Sequence, residues 1–312
     1  MRKRFEKKRE ARYAILEPLL ARGQALQTVL KGENACVEGN VSDLQLVGSV
    51  IEWKSCPEVL DPSAGDLKPD RALRKRQQVE SMVAHVAHFL HDDDVVVDFG
   101  SGSGHLGLTI AYFFPKVSVI LVERKEWTTT VANERIADLG LTNVSTRCCD
   151  IYDFDAAKEK MTLAVSLHSC GWLTDFIIET CVRNECSYCL VPCCYGQRGG
   201  KPEVSGQSTG ALNAIVSHPK SRLLASQFTA DEFDHIASGA DFAVAATNNW
   251  NEFTNNDNFI VAKQCMRLID LDRASWTSDQ VLGKYRLYQS SLQPLNCSPK
   301  NNVLIAMARD RS

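Results

Sequence analysis

The sequence contains no long hydrophobic run and no apolar stretch behind its charged first residues. No run of about 18 apolar residues occurs, so no transmembrane helix is predicted. Residues 1–12 lack the apolar segment of a secretory signal. Internal repeats and low-complexity tracts are also absent. With 44% hydrophobic residues, the chain has enough apolar side chains for a packed core. We therefore expect a globular protein with no membrane partner.

The formal net charge of −3 indicates little by itself, but the basic residues are concentrated in two segments. Residues 1–12 contain seven Lys or Arg against two Glu, and residues 68–76 contain five against one Asp. Two basic segments on an acidic remainder can bind phosphates, which makes RNA one expected partner. A charged tail and a solvated helix face would explain them equally well.

Twelve cysteines raise the question of the redox compartment. Several of them, including Cys148, Cys149, Cys170 and Cys189, lie in segments with the composition of a core. In a chain of 312 residues, buried cysteines are typical of reduced thiols. We expect a cytoplasmic protein, with the nucleus as the second candidate compartment.

The chain divides into two parts on the basis of its pattern. Residues 1–30 have helical periodicity that Pro18 interrupts, and residues 44–53 alternate as a strand or hairpin does. We interpret residues 1–70 as a helical or irregular appendage and residues 71–312 as the main domain. A strongly amphipathic helix opens this domain, with Val79, Met82, Val83 and Val86 on one stripe.

From residue 95 onward, short β-branched runs alternate with helical segments. Strands are predicted at 95–100, 117–123, 144–150, 163–170 and 188–194, with a late strand at 303–308. Strands separated by helices of this length imply right-handed crossovers and a parallel sheet. The pattern predicts an α/β, Rossmann-like fold: a mostly parallel, seven-stranded sheet with helices on both faces.

The first of these strands runs directly into a glycine-rich turn and a helix. Asp98 stands at the strand end, and Gly100, Ser101, Gly102 and Gly104 follow it. Closely spaced glycines allow the backbone to approach a ligand, and the free N–H groups of a helix N-terminus attract an anion. This turn could bind the carboxylate of S-adenosylmethionine (SAM). Asp98 is placed to meet the amino group of that cofactor or an N–H of the turn.

Two further acids stand where the next two strands end. Glu123 can bind both ribose hydroxyls of an adenosine. Asp150 can accept a hydrogen bond from the adenine amino group, with Ile151 against the ring. One such acid is often only a cap, but three beside a glycine turn predict a SAM site. A dinucleotide site is the alternative, because Gly102, Gly104 and Gly107 match the glycine spacing of such sites. The first of these glycines, however, comes four residues after Asp98 and not directly after the strand.

Two motifs in the second half carry a family resemblance. The segments are L-H-S-C-G-W-L-T-D at 167–175 and P-C-C at 192–194. This pair resembles a methyltransferase family that contains the methyltransferase-like 25 proteins and the methyltransferase region of glutathione S-transferase C-terminal domain-containing protein. It is also similar to the acceptor-stem tRNA 2′-O-methyltransferases, which carry Cys-Cys-His-His where this chain has Cys-Cys-Tyr-Gly at 193–196. The resemblance covers roughly residues 70–310.

The resemblance implies a class I SAM-dependent methyltransferase with strand order 3-2-1-4-5-7-6 and an antiparallel strand 7. Methyl transfer needs positioning, and it needs a base only when the acceptor must lose a proton. His168 is the candidate base or orienting group, and Asp175 could hold it or cap a helix. Cys193 and Cys194 could line the acceptor pocket or supply a nucleophile.

Three more residues complete the expected cofactor site: Arg124, Leu167 and Lys75. Lys75 could reach either the cofactor carboxylate or an RNA phosphate. A zinc site formed by Cys186 and Cys189 with Cys193 and Cys194 is only weakly indicated, because Cys189 belongs inside a strand and no second well-spaced pair is present. We expect no structural metal. We therefore predict a SAM-dependent methyltransferase that acts on RNA, tRNA included. A protein or small-molecule methyltransferase and a non-catalytic SAM-binding protein are the alternatives.

Overall fold

The structure is a computed structural model that describes residues 2–32, 37–40, 51–63, 67–196, 218–244 and 253–309. The strand or hairpin expected over residues 44–53 lies mostly outside these residues. The helices are α1 Arg2–Gly32, α2 Pro69–Ala87, α3 His105–Phe113, α4 Glu126–Leu139, α5 Trp172–Arg183, α6 Arg222–Ala225, α7 Ala230–Ala240 and α8 Asp257–Gln280. The strands are β1 Val37–Asn40, β2 Val95–Phe99, β3 Ser118–Glu123, β4 Val144–Cys148, β5 Leu163–Cys170, β6 Ser187–Cys193, β7 Tyr285–Ser291 and β8 Asn302–Ala308.

These strands form one sheet in the order β1-β7-β8-β6-β5-β2-β3-β4. The strands β2 to β6 pair in parallel, whereas β8 is antiparallel to both β6 and β7. The expected seven-strand order and its antiparallel member are therefore confirmed. An eighth strand, β1, extends the sheet by pairing in parallel with β7.

Helices cover both faces of the sheet, as expected. Neighbouring residues of β2 point to opposite faces, so Val96 packs into one core and Val97 into the other. The first core contains α2, α3 and α4, and the second contains α5 and part of α8. Both faces of the central strands are therefore dry, and the polar ends of the strands remain available for a ligand.

A third cluster joins α1 to α6, α7 and α8. Leu16, Leu19 and Leu20 of α1 pack with residues such as Phe233 and Leu268. The long helix expected at the start of the chain is confirmed, and it continues through Pro18. The division of the chain at residue 70 stays a prediction.

Local signals explain where several elements begin and end. Gly140 ends α4 in the left-handed conformation that is typical of a glycine at a helix C-terminus. Thr229 begins α7 with a capping box that Glu232 completes. Strand β7 was missed by the sequence reading. None of the described helices is long and apolar enough to span a membrane.

Candidate functional site

The glycine turn connects β2 to α3 and adopts the backbone that glycine permits. Gly100, Gly102 and Gly104 have φ values of +69°, +56° and +86°. A Cβ on Gly104 would lie 2.9 Å from Leu121, so this glycine is needed for packing. A Cβ on Gly102 would meet no atom within 4 Å, so this part of the turn faces open space. The neighbouring Ser101 hydroxyl is buried and has no hydrogen-bond partner among the described residues.

Asp98 lies beneath this turn and is 2% exposed. Its Oδ2 accepts a hydrogen bond of 3.0 Å from the Gly107 N–H in the first turn of α3. Of the two roles expected for this acid, the structure shows the contact with a backbone N–H. Burial, together with the nearby Glu123 carboxylate, raises the pKa of Asp98 to about 7.

The raised pKa of Asp98 predicts a loss of stability as the pH rises. The unfolded chain releases the Asp98 proton near pH 4, whereas the folded chain retains it until about pH 7. The free energy of unfolding therefore falls between these values. The Asp98→Asn variant should lack this pH dependence. Between pH 5 and 7 its free energy of unfolding should therefore fall by about 1–3 kcal/mol less than that of the wild type. Urea denaturation at both pH values measures the difference, and equal slopes would contradict the assignment.

Glu123 ends β3 and ties the glycine turn to the next segment. Its Oε2 accepts from the Gly102 N–H at 3.0 Å, and its Oε1 accepts from the Lys125 N–H at 2.9 Å. Each carboxylate oxygen retains a second lone pair for another donor. Glu123 is therefore oriented by the backbone before any ligand arrives.

Asp150 stands two residues beyond the end of β4 and caps a short helical turn. Its Oδ1 accepts from the Tyr152 N–H at 3.3 Å, and its Oδ2 lies 3.7 Å from the Arg124 guanidinium. The next residue, Ile151, is buried. The Tyr152 ring stacks on Trp172 at a centroid distance of 5.2 Å and an interplanar angle of 15°. The carboxylate and an aromatic wall thus face the same region.

A cavity of about 290 Å³ opens at the carboxyl ends of β2, β3 and β4. Five residues predicted for the cofactor site line it: Gly100, Glu123, Arg124, Asp150 and Ile151. Six lining residues were not predicted for the site: Val122, Cys149, Cys170, Gly171, Trp172 and Leu173. The unpredicted part of the wall comes mainly from the β5–α5 junction. The cavity thus collects predicted residues from three separate strand ends.

The remaining predicted cofactor residues do not line this cavity. Ser101, Gly102 and Gly104 follow Gly100 in the turn at its edge, and Asp98 lies in β2 just before this turn. Leu167 is partly buried and packs against the core that contains α2 and α3. The assignment of these residues to the cofactor stays a prediction.

His168 lies in an irregular part of β5. Its φ of +74° is unusual for a residue with a side chain, and the β5–β6 register shifts beside it. Its Nε2 donates to the Gln78 amide oxygen at 2.8 Å, which leaves Nδ1 as the acceptor nitrogen. Although the residue reaches solvent, partial desolvation of the ring and the Lys75 ammonium lower its pKa to about 4. The ring is therefore neutral at neutral pH.

Lys75 of α2 belongs to a group of cations near the glycine turn. Burial, Arg135 and Arg71 all lower the pKa of Lys75. Arg135 donates to the Ser103 carbonyl oxygen of the glycine turn at 3.0 Å. Among the residues that the structure describes, no carboxylate forms an ion pair with Lys75, Arg71 or Arg135. We call these three residues the basic cluster.

Cys193 and Cys194, the two candidate cysteines, meet a third thiol at the ends of β5 and β6. The Cys170 Sγ lies 3.0 Å from the Cys193 Sγ and 3.6 Å from the Cys194 Sγ. The thiol hydrogen bond from Cys193 outweighs desolvation and lowers the pKa of Cys170 to about 6. Cys170 was not predicted for this site from the sequence, because only the register of the two strands brings it to this position.

The expectation that Asp175 holds His168 is wrong. The Asp175 carboxylate is 1% exposed and binds Arg273 through two hydrogen bonds of 3.0 Å. His218 lies 3.2 Å away on the same carboxylate. Burial alone would raise the pKa of Asp175, but Arg273 and His218 hold it well below its usual range. Asp175 therefore fastens α5 to α8, and we remove it from the catalytic residues.

The weakly indicated zinc site that would join Cys186 and Cys189 to Cys193 and Cys194 is also not formed. The Cys186 thiol donates to the Met161 carbonyl oxygen, and Cys189 is buried within β6. Among the described residues, neither of these two thiols belongs to a cluster able to hold a metal ion, whereas Cys193 and Cys194 form one with Cys170.

The residues that line the cavity lie within a segment that is similar to a known type of domain. Residues 74–198 match a family model described as "Methyltransferase domain". The Xenopus laevis protein named glutathione S-transferase C-terminal domain-containing protein is 30% identical over 278 residues, which are 89% of this chain and 41% of that protein. The chain thus spans about two fifths of the length of this curated relative.

Two further similarities are more limited. Ribosomal RNA small subunit methyltransferase G of Acidothermus cellulolyticus is 31% identical over 100 residues, covering 32% of this chain and 44% of that protein. A solved RNA methyltransferase from Salinibacter ruber in complex with S-adenosyl-L-homocysteine aligns with 15% identity and a TM-score of 0.33. That alignment covers 42% of this chain and 84% of the other.

Proposed function

We propose that the protein is a SAM-dependent methyltransferase that acts on RNA. The match of residues 74–198 to a family model described as a methyltransferase domain supports the methyltransferase part of this proposal. The observation that carries the cofactor assignment is the cavity that Gly100, Glu123, Arg124, Asp150 and Ile151 line together. These residues come from three strand ends, and their meeting at one cavity is the arrangement expected for an adenosine site.

The residues present fit this cofactor. The Ser101 hydroxyl is buried and has no hydrogen-bond partner within the described ranges, and open space lies beside Gly102. The turn thus offers both room and a polar group for a ligand. The cavity volume is close to the lower end of the range found for small-molecule sites, about 300–1,000 Å³. Bound SAM would supply a methyl group on a sulfonium, which is transferred by in-line displacement.

Each protein group has a separate task in holding the cofactor. Glu123 would bind the ribose hydroxyls with its free lone pairs, and Asp150 would accept from the adenine amino group beside Ile151. The N–H groups of the glycine turn would bind the carboxylate at the N-terminus of α3. The Gly102 N–H already orients Glu123. The glycine turn would therefore also position the carboxylate that binds the ribose.

The charge of the basic cluster supports an anionic substrate. Lys75, Arg71 and Arg135 carry three positive charges, and no ion pair neutralises them among the described residues. The single carboxylate of the cofactor would neutralise only one of them. The remaining charge favours phosphate groups, as in RNA. A relative that is 31% identical over 100 residues is named for ribosomal RNA methylation, which also favours RNA as the substrate.

The experiment is transfer of labelled methyl from SAM into fractionated cellular RNA, protein and metabolites. We expect the label to appear in RNA and to be lost when the RNA is digested with ribonuclease. We also expect the affinity for RNA to fall steeply as the salt concentration rises. Label only in protein or metabolites would contradict the RNA substrate and retain the methyltransferase. Specific SAM binding without label in any fraction would contradict the enzyme and favour a SAM-binding protein.

His168 is the residue we expect to act on the acceptor side. Its neutral ring and free Nδ1 can orient the acceptor or receive its proton. The His168→Ala variant should reduce kcat by about 100-fold while the Kd for SAM changes by less than about threefold. His168→Gln, which keeps a polar group at this site, should recover part of the loss. Turnover equal to wild type in His168→Ala would return His168 to a structural role.

A further inference from the structure

Three thiols converge at the end of the sheet that faces the cavity, and nothing in the proposed methyl transfer requires all three. The Sγ atoms of Cys170, Cys193 and Cys194 all lie within 4.8 Å of one another. Cys170 also lines the cavity, whereas Cys193 is buried and Cys194 is half-buried. We call this group the thiol cluster.

The backbone explains how the thiol cluster forms. Cys170 and Cys193 are direct partners in the parallel pairing of β5 with β6, and the Gly171 N–H donates to the Cys193 carbonyl oxygen at 3.2 Å. In an extended strand, Cys193 and Cys194 would point to opposite faces. Cys194 instead has a φ of +49°, a left-handed conformation that is costly for a residue with a side chain. That strain accompanies the meeting of the three sulfur atoms.

From this geometry we propose that the thiol cluster binds a thiophilic metal ion, with Zn²⁺ as the occupant. Zinc bound to thiolates at about 2.3 Å with tetrahedral angles separates the sulfur atoms by about 3.8 Å. The observed separations of 3.0 and 3.6 Å from the Cys170 Sγ reach this value with shifts of less than about 1 Å, which side-chain torsions can supply. The cluster therefore needs no rearrangement of β5 or β6.

The composition of the cluster also determines the charge of the metal complex and leaves one coordination position of the metal ion free. Each thiol must lose its proton to bind, so one Zn²⁺ releases three protons and forms a complex of charge −1. The described residues place no fourth His, Cys, Asp or Glu in the group. The fourth position is therefore open to water or a ligand, as in zinc sites that act on substrates. Cys170 is the ligand that connects this position to the cavity.

The test is zinc and cobalt binding to the full chain without SAM, so that failure of methyl transfer and failure of metal binding are separate results. Protein that has been reduced and stripped with a chelator is titrated with Zn²⁺ against a chromophoric chelator. Co²⁺ then reports thiolate ligation through its near-ultraviolet charge-transfer absorption. We expect one equivalent of Zn²⁺, about three protons released at a pH where the thiols are protonated, and thiolate-to-cobalt bands.

The matched variants are Cys170→Ser and Cys194→Ser, whose side chains are not fully buried, with Cys148→Ser as the control. Cys148 is exposed and lies outside the thiol cluster. The two cluster variants should weaken Zn²⁺ binding by about 100-fold or more, while the control binds as the wild type does. Unaltered binding in Cys170→Ser would overturn the proposal. So would a Cys170–Cys193 disulfide found by peptide mass in protein purified without oxygen, together with no bound metal.

Discussion

The Gly102→Val variant is expected to bind SAM at least about 100-fold more weakly than the wild type, a loss of about 2.7 kcal/mol. The open space that Gly102 faces is where the cofactor carboxylate would meet the turn, and a valine side chain would occupy it. The same substitution strains a backbone held at a φ of +56° and disturbs the N–H that orients Glu123. Isothermal titration calorimetry with SAM measures the change.

The Gly140→Val variant provides the matched control. Gly140 has a φ of +63°, and a Cβ there would also meet no atom within 4 Å. It caps the far end of α4 and does not line the cavity. Both variants should lose a similar amount of stability, about 1–2 kcal/mol. Only Gly102→Val should lose SAM affinity, and equal affinity in the two variants would place the cofactor elsewhere.

The Arg273→Met variant is expected to lower the free energy of unfolding by about 3–5 kcal/mol, the largest stability effect we predict. The Arg273 side chain is 1% exposed and donates to Asp175 on α5 and to Asp270 on α8. Removing the guanidinium leaves these carboxylates buried without their main cation. Since Gly171 and Trp172 of the cavity wall precede Asp175, SAM binding should weaken as well. Chemical denaturation followed by circular dichroism measures the loss.

The control for this effect is Arg183→Met. Arg183 forms an ion pair with Glu179, but its side chain is 69% exposed, so the loss should stay below about 1 kcal/mol. If both arginine variants unfolded with equal stability, Arg273 would not hold α5 to α8.

The stabilisation that Asp175 gives the wild type is present above the pKa of the unfolded carboxyl, about 3.9, and is lost as the pH falls below it.

The sequence allowed the central strands and the first half of the site to be predicted because both depend on local pattern. The runs that form β2 and β3 are rich in β-branched residues. An acid is the next-to-last residue of β2 (Asp98) and the last residue of β3 (Glu123). In a parallel sheet these ends meet at one edge, so the acids could be placed together without coordinates. The glycines at 102 and 104 allowed the tight turn to be predicted in the same way.

The rest of the site depends on contacts between distant parts of the chain. Cys170 and Cys193 are 23 residues apart and meet only through the register of β5 with β6. Asp175 and Arg273 are 98 residues apart, and a helix-capping pattern gave no signal for their pairing. The stacking of Tyr152 on Trp172 has the same origin. Periodicity identifies faces of elements, whereas such pairs are determined by packing.

The most direct test of the account is a crystal structure of the protein grown with S-adenosylhomocysteine. We predict that its ribose lies on Glu123, that its adenine lies beside Asp150 and Ile151, and that its carboxylate lies at the turn of Gly100 to Gly104. Clear density for the ligand at another place, or an empty cavity at a concentration that saturates binding in solution, would contradict the claim that these strand ends form the cofactor site.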